Sequence, residues 1–109
     1  MRVLAALCCG LFLIALVFGQ SYKPKEGYVP DSVTAARIAE AVLTPVYGER
    51  QIISERPFTA TLKNEVWTVQ GTLHCPDGRG GTSANCNGGV AEVEISKSDA
   101  RILGMRHGK

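Results

Sequence analysis

A chain of 109 residues, 45% hydrophobic and with a formal net charge of +2, has material for one small core and no polyelectrolyte character. That balance gives no reason to expect a nucleic-acid partner.

The first element is an export signal. Arg2 is followed by an uncharged apolar run over residues 3–18, shorter than the roughly 20 residues a spanning helix needs. Gly19 offers a small residue before a cut. We expect a secretory signal over residues 1–19 and a periplasmic or secreted domain. The alternative is an uncleaved segment anchoring the chain to the inner membrane, its one contact with a membrane. A lipoprotein signal is disfavoured because Cys8 and Cys9 lie too early in the apolar run. Residues 20–30 are polar, with interspersed Tyr22 and Tyr28 and no period, and read as an N-terminal arm whose tyrosines are candidates to dock on the domain.

Residues 34–48 carry the long stripe of helical spacing. Ala35, Ile38, Ala39, Val42, Leu43, Val46 and Tyr47 share one face, with Arg37, Glu40 and Thr44 off it. Asp31 is placed to cap the start and Gly48 to end the helix, while Pro45 removes an N–H and should kink or tighten the last turn. Residues 49–56 read as a charged connection. After Pro57 the period changes to 2: a strand over residues 58–63, a tight turn at Asn64-Glu65, and a second strand over residues 66–74 in which Gly71 suggests a bulge or bend.

Two of the four cysteines fall in the signal, which leaves Cys75 and Cys86 as the exported pair. In an oxidising compartment they are expected to form a disulfide across a glycine-rich loop, restricting the unfolded chain by about 2–3 kcal/mol. A metal site built from His74, Cys75, Cys86 and His107 is the competing arrangement. Against it, His74 and Cys75 are adjacent and should point to opposite strand faces, and paired CxxC ligands are absent. The glycines resemble a phosphate cradle only weakly, since no Lys-Ser/Thr and no helix follow them. No metal or cofactor is expected.

Two further strands, over residues 90–96 and 101–107, complete one helix plus four antiparallel strands: an α+β domain over residues 31–109 with a curved sheet wrapping the helix. A two-residue turn at Ser98-Asp99 would set Ile95 opposite Ile102, Val93 opposite Gly104, and Glu94 and Glu92 opposite Leu103 and Met105. Leu103 and Met105 would then emerge beside Glu92, Glu94 and Arg101 on the outer face, a candidate partner-binding patch. One more residue in the turn would bury them. Tyr47, Trp67 and His107 are candidates for the mouth of a pocket, with core packing as the ordinary role of Tyr47 and Trp67.

No active site is visible as a motif: there are two histidines, and the serines lack a nucleophile-elbow context. The segments Gly27-Tyr28-Val29-Pro30-Asp31, Thr34-Ala35, Ile38-Ala39-Glu40-Ala41, Pro45-Val46-Tyr47-Gly48-Glu49, Pro57-Phe58, Trp67-Thr68-Val69-Gln70-Gly71-Thr72-Leu73, Gly88-Gly89-Val90 and His107-Gly108-Lys109 together resemble, over about residues 27–109, the NTF2-fold immunity proteins of bacterial polymorphic toxin systems. That resemblance implies an NTF2-like or cystatin-like fold and a non-catalytic role, binding and neutralising a cognate protein toxin; a homodimer is compatible with it. The loop at residues 75–87 and the export signal depart from the family pattern. The alternative reading is an NTF2-like pocket protein, either a small-ligand binder or a lyase/isomerase, which needs a convergent acid or base in a cavity.

Overall fold

The computed structural model describes residues 19–75 and 88–109. The export segment and Cys86 fall outside that range. Helix α1 spans Ser32–Tyr47 and starts where the Asp31 carboxylate accepts from the Thr34 N–H at 2.7 Å. It runs through Pro45, and the Gly48 N–H closes it on the Thr44 carbonyl at 2.8 Å. Ala35, Ala39 and Leu43 are fully buried, with Ile38, Val42 and Tyr47 partly buried beside them. Val46 departs from the expected stripe and is 59% exposed.

Residues 49–56 are more ordered than a connection. Glu49–Ser54 form a six-residue helix, α2, which buries Ile52 and delivers Glu55 to the core. Strands β1 (Thr59–Lys63), β2 (Val66–Gln70), β3 (Ala91–Ser96) and β4 (Ile102–His107) make an antiparallel meander in the order β1-β2-β3-β4. The whole is an α+β domain of NTF2-like type. Asn64 and Glu65, with φ of 51° and 62°, form the two-residue hairpin that the sequence suggests. Strand alternation sorts the sheet into two faces. Trp67, Val69, Ala91, Val93 and Ile95 pack under α1, while Thr61, Thr68, Glu92 and Glu94 look away from it.

Gly71 marks no bulge. A Cβ there would lie 2.7 Å from Oε1 of Glu55 and 2.9 Å from its Cβ, so the glycine exists to admit the Glu55 side chain. The bulge lies on β4. Ile95 pairs with Ile102 as expected, but Glu94 then pairs with Gly104, Val93 with Met105 and Glu92 with Arg106, leaving Leu103 as the extra residue. The connection is also a four-residue loop rather than a two-residue turn, with Ser96 N–H bonded to the Arg101 carbonyl and Ala100 at φ 63°. Met105 therefore faces the core, not the outer surface, and packs against it.

The arm is part of the domain. Val29 is fully buried, its N–H donates to the Lys97 carbonyl at 3.0 Å, and its carbonyl accepts from the Trp67 indole at 2.8 Å. Gly27, at φ 86°, passes so close to Lys97 that a Cβ would clash with its backbone oxygen. Tyr22 and Tyr28 are exposed instead of docked.

Candidate functional site

Two groups of side chains stand out. The first begins with Glu55, the one buried charged residue among those described. Its Oε1 accepts from the Ala91 backbone N–H at 2.5 Å, and its Oε2 from Gln51 Nε2 at 2.9 Å and His107 Nε2 at 3.0 Å. A helix end, the middle of the sheet and the last strand thus meet on one carboxylate. Burial opposes its ionisation, but the bonds from Gln51, Ala91 and His107 outweigh burial and hold the Glu55 carboxyl below its ordinary value.

His107 is the reciprocal partner. Its Nδ1 faces the Gly108 carbonyl at 2.7 Å and its Nε2 faces Glu55, so both ring nitrogens meet acceptors and the doubly protonated ring suits the site. The Gly108 carbonyl raises its pKa; burial opposes that, and Glu55 adds to it. The ring also stacks obliquely on Tyr47, with centroids 5.2 Å apart. Of the three pocket candidates, Tyr47 and His107 are therefore neighbours. Trp67 is not: it is buried two rows of the sheet away, bonded to Val29. Both carboxylate oxygens of Glu55 and both ring nitrogens of His107 are already engaged in bonds within the fold. The chemistry of the cluster is that of a clasp.

The second group lies on the outer sheet face. Arg106 stands between Glu92, at 3.0 Å, and Glu94, bonding both with one guanidinium nitrogen. These carboxylates, Glu94 foremost, raise the Arg106 pKa further above its ordinary value. Around them the face is polar, with Thr59, Thr61, Thr68, Gln70 and Lys63 aligned by the strand register. Among the described residues no helix lies across it. Of the expected partner-binding residues, Glu92 and Glu94 occupy this face and Leu103 is exposed at the bulge. Arg101 is exposed at the loop, while Met105 lies on the opposite side.

Sequence reasoning passed over Glu55, Gln51 and Arg106. The usable signal for Glu55 was Gly71, a glycine in a strand that otherwise had no reason to lack a side chain. Arg106 was hidden by the bulge, which moved it opposite Glu92. The histidines and cysteines do not assemble a metal centre in the described residues, where no group of three or more metal-ligating side chains occurs. His74 Nε2 lies against the Arg56 carbonyl at 2.5 Å. Cys75 is buried, and Cys86 lies outside the described residues.

A family model described as NTF2 fold immunity protein matches residues 34–109. The chain is also similar to the uncharacterized protein YhhH of Escherichia coli (strain K12), 35% identical over 81 residues, which is 74% of this chain and 58% of that protein. It therefore spans little more than half the length of that relative. No solved structure matches it.

Proposed function

Because this chain belongs to the NTF2-fold immunity protein family, we propose that it binds a cognate bacterial toxin and neutralises it by covering a functional surface, without chemistry of its own. The observation that carries this reading is the family match over residues 34–109, from the first turn of α1 through β4. The geometry supports a binding role in two ways. The clasp spends its titratable atoms on holding α2, β3 and β4 together, which favours binding over the pocket-enzyme alternative. The outer sheet face is polar, backed by a packed core and set with a guanidinium already fixed between two carboxylates, so little side-chain order has to be gained on binding. We assign the toxin contact to this face, through Glu92, Glu94 and Arg106, with Leu103 at its lip.

In the same proposal residues 1–19 direct export, and Cys75 and Cys86 pair across the glycine-rich loop. Among the described residues no helix is long and apolar enough to cross a membrane. An exported antitoxin meets its toxin outside the cytoplasm, which favours wall- or membrane-directed toxins over a cytosolic nuclease. The test is co-expression with the product of the neighbouring reading frame: growth restored by the wild-type chain supports the proposal, and unchanged toxicity at equal expression overturns it.

A further inference from the structure

Among the described residues strand β1 is an edge of the sheet, and the side turned away from β2 has a defined pattern. The Gly71 N–H donates to the Ala91 carbonyl, so odd-numbered residues of β2 bond towards β3 and even-numbered ones towards β1. In the β1–β2 register, Thr59, Thr61 and Lys63 then spend their backbone groups on β2. Ala60 and Leu62 point theirs outward.

The side chains at this edge are equally particular. Leu62 lies on the helix-facing side of the sheet and is 40% exposed, beyond the cover of α1. Two residues away, an open groove of about 400 Å³ runs between the start of α1 and β1, lined among others by Val33, Ala36, Phe58 and Ala60. Val33 is itself 59% exposed. A protruding leucine and an apolar groove thus sit on the same face of the same strand edge.

We propose that β1 pairs antiparallel with β1 of a second copy about a two-fold axis through Thr61, forming a homodimer with a continuous eight-stranded sheet. In that register Ala60 stands opposite Leu62 of the partner copy, and the outward backbone groups of both residues meet their counterparts in four hydrogen bonds. Each Leu62 enters the other copy's groove beside Ala60, where Val33 and Phe58 receive it. On the outer face Lys63 falls opposite Thr59 rather than another lysine, so the pairing brings no like charges together. Threonine meets threonine at the axis. A second copy is the occupant that this edge fits, because a single register satisfies the backbone, fills the groove and separates the lysines. With only five residues in β1, the interface lies at the small end of the specific range, roughly 1,000 Å² or less, and the dimer dissociates on dilution.

The test uses the full chain, expressed as encoded and purified as the cell leaves it, in sedimentation velocity across a concentration series. The expected result is a reversible monomer–dimer equilibrium for wild type and a monomer at the same concentrations for Leu62→Lys. A covalent probe fixes the register independently of how that variant folds. Thr61→Cys should form a disulfide-linked dimer under mild oxidation, since residues facing each other at the axis have Cα atoms about 4.5 Å apart. Lys63→Cys, displaced from its own copy, should not. A wild-type chain that stays monomeric throughout overturns the proposal, as does equal cross-linking by the two cysteine variants. If wild type is monomeric and Leu62→Lys abolishes protection against the toxin, the edge belongs to the toxin's strand and the second copy is wrong.

Discussion

Replacing Glu55 with alanine removes the point at which α2, β3 and β4 are tied together. Three donors lose their acceptor: the Ala91 N–H, Gln51 Nε2 and His107 Nε2. Gln51 is exposed and the His107 side chain is one-quarter exposed, so both recover bonds to water, but Ala91 is fully buried. Leaving its N–H without an acceptor costs about 1–3 kcal/mol, and losing the charge-assisted bond to His107 adds about 1 kcal/mol. We expect Glu55→Ala to lower stability by about 3 kcal/mol in urea unfolding. In a domain of this size that corresponds to a fall in melting temperature on the order of 15 °C. Glu55→Gln keeps a carbonyl oxygen in place for Ala91 and should lose about 1 kcal/mol. The discriminating quantity is the difference between the two variants. Equal losses, or a loss below about 0.5 kcal/mol for Glu55→Ala, would refute the claim that the carboxylate satisfies the sheet from within.

The same pair fixes the sign of the pH dependence. His107 has a raised pKa in the folded state, so its contribution is fully present below the ordinary histidine value of about 6.5 and is lost as pH rises through the folded value. Glu55 has a lowered pKa, so its contribution is present above about 4.3 and is lost as pH falls through its folded value. Thermal midpoints should therefore peak between about pH 5 and 6.5, and His107→Gln should flatten the alkaline side; a wild-type midpoint still rising above neutrality would contradict the assignment. On α1, Leu43→Asp should unfold the domain by burying an unpaired charge, whereas Val46→Asp should shift the midpoint by no more than a few degrees. Circular dichroism melts of the two variants decide it. Intact mass without reduction should find the exported chain two hydrogens lighter than its reduced form, with peptide mapping placing the link between Cys75 and Cys86. Two free thiols would remove the disulfide from the account.

The parts of the fold that sequence revealed are those whose signal is local and repeated. Asp31, the stripe from Ala35 to Leu43 and Gly48 set the bounds of α1 to within two residues, and the alternation around Trp67 and Val69 set the faces of β2. Helix α2 escaped because six residues hold fewer than two turns, too few for a period to emerge from Glu49, Arg50 and Gln51. The β4 register escaped for a different reason. A single extra residue at Leu103 shifts every later pair, and no local propensity distinguishes a bulge there from a regular strand. That one displacement moved Met105 into the core and brought Arg106 between Glu92 and Glu94. The surface assigned to the partner changed with it.

Titration calorimetry of the purified chain with the polypeptide encoded by the neighbouring reading frame tests the proposed function most directly. The account predicts a saturable complex for wild type, and its loss in the double variant Glu92→Lys, Glu94→Lys while the domain stays folded and its melting temperature falls by no more than about 10 °C, since ion pairs at the surface contribute about 0–1 kcal/mol each. No heat of binding to that polypeptide, or binding unchanged by the double reversal, would contradict the account.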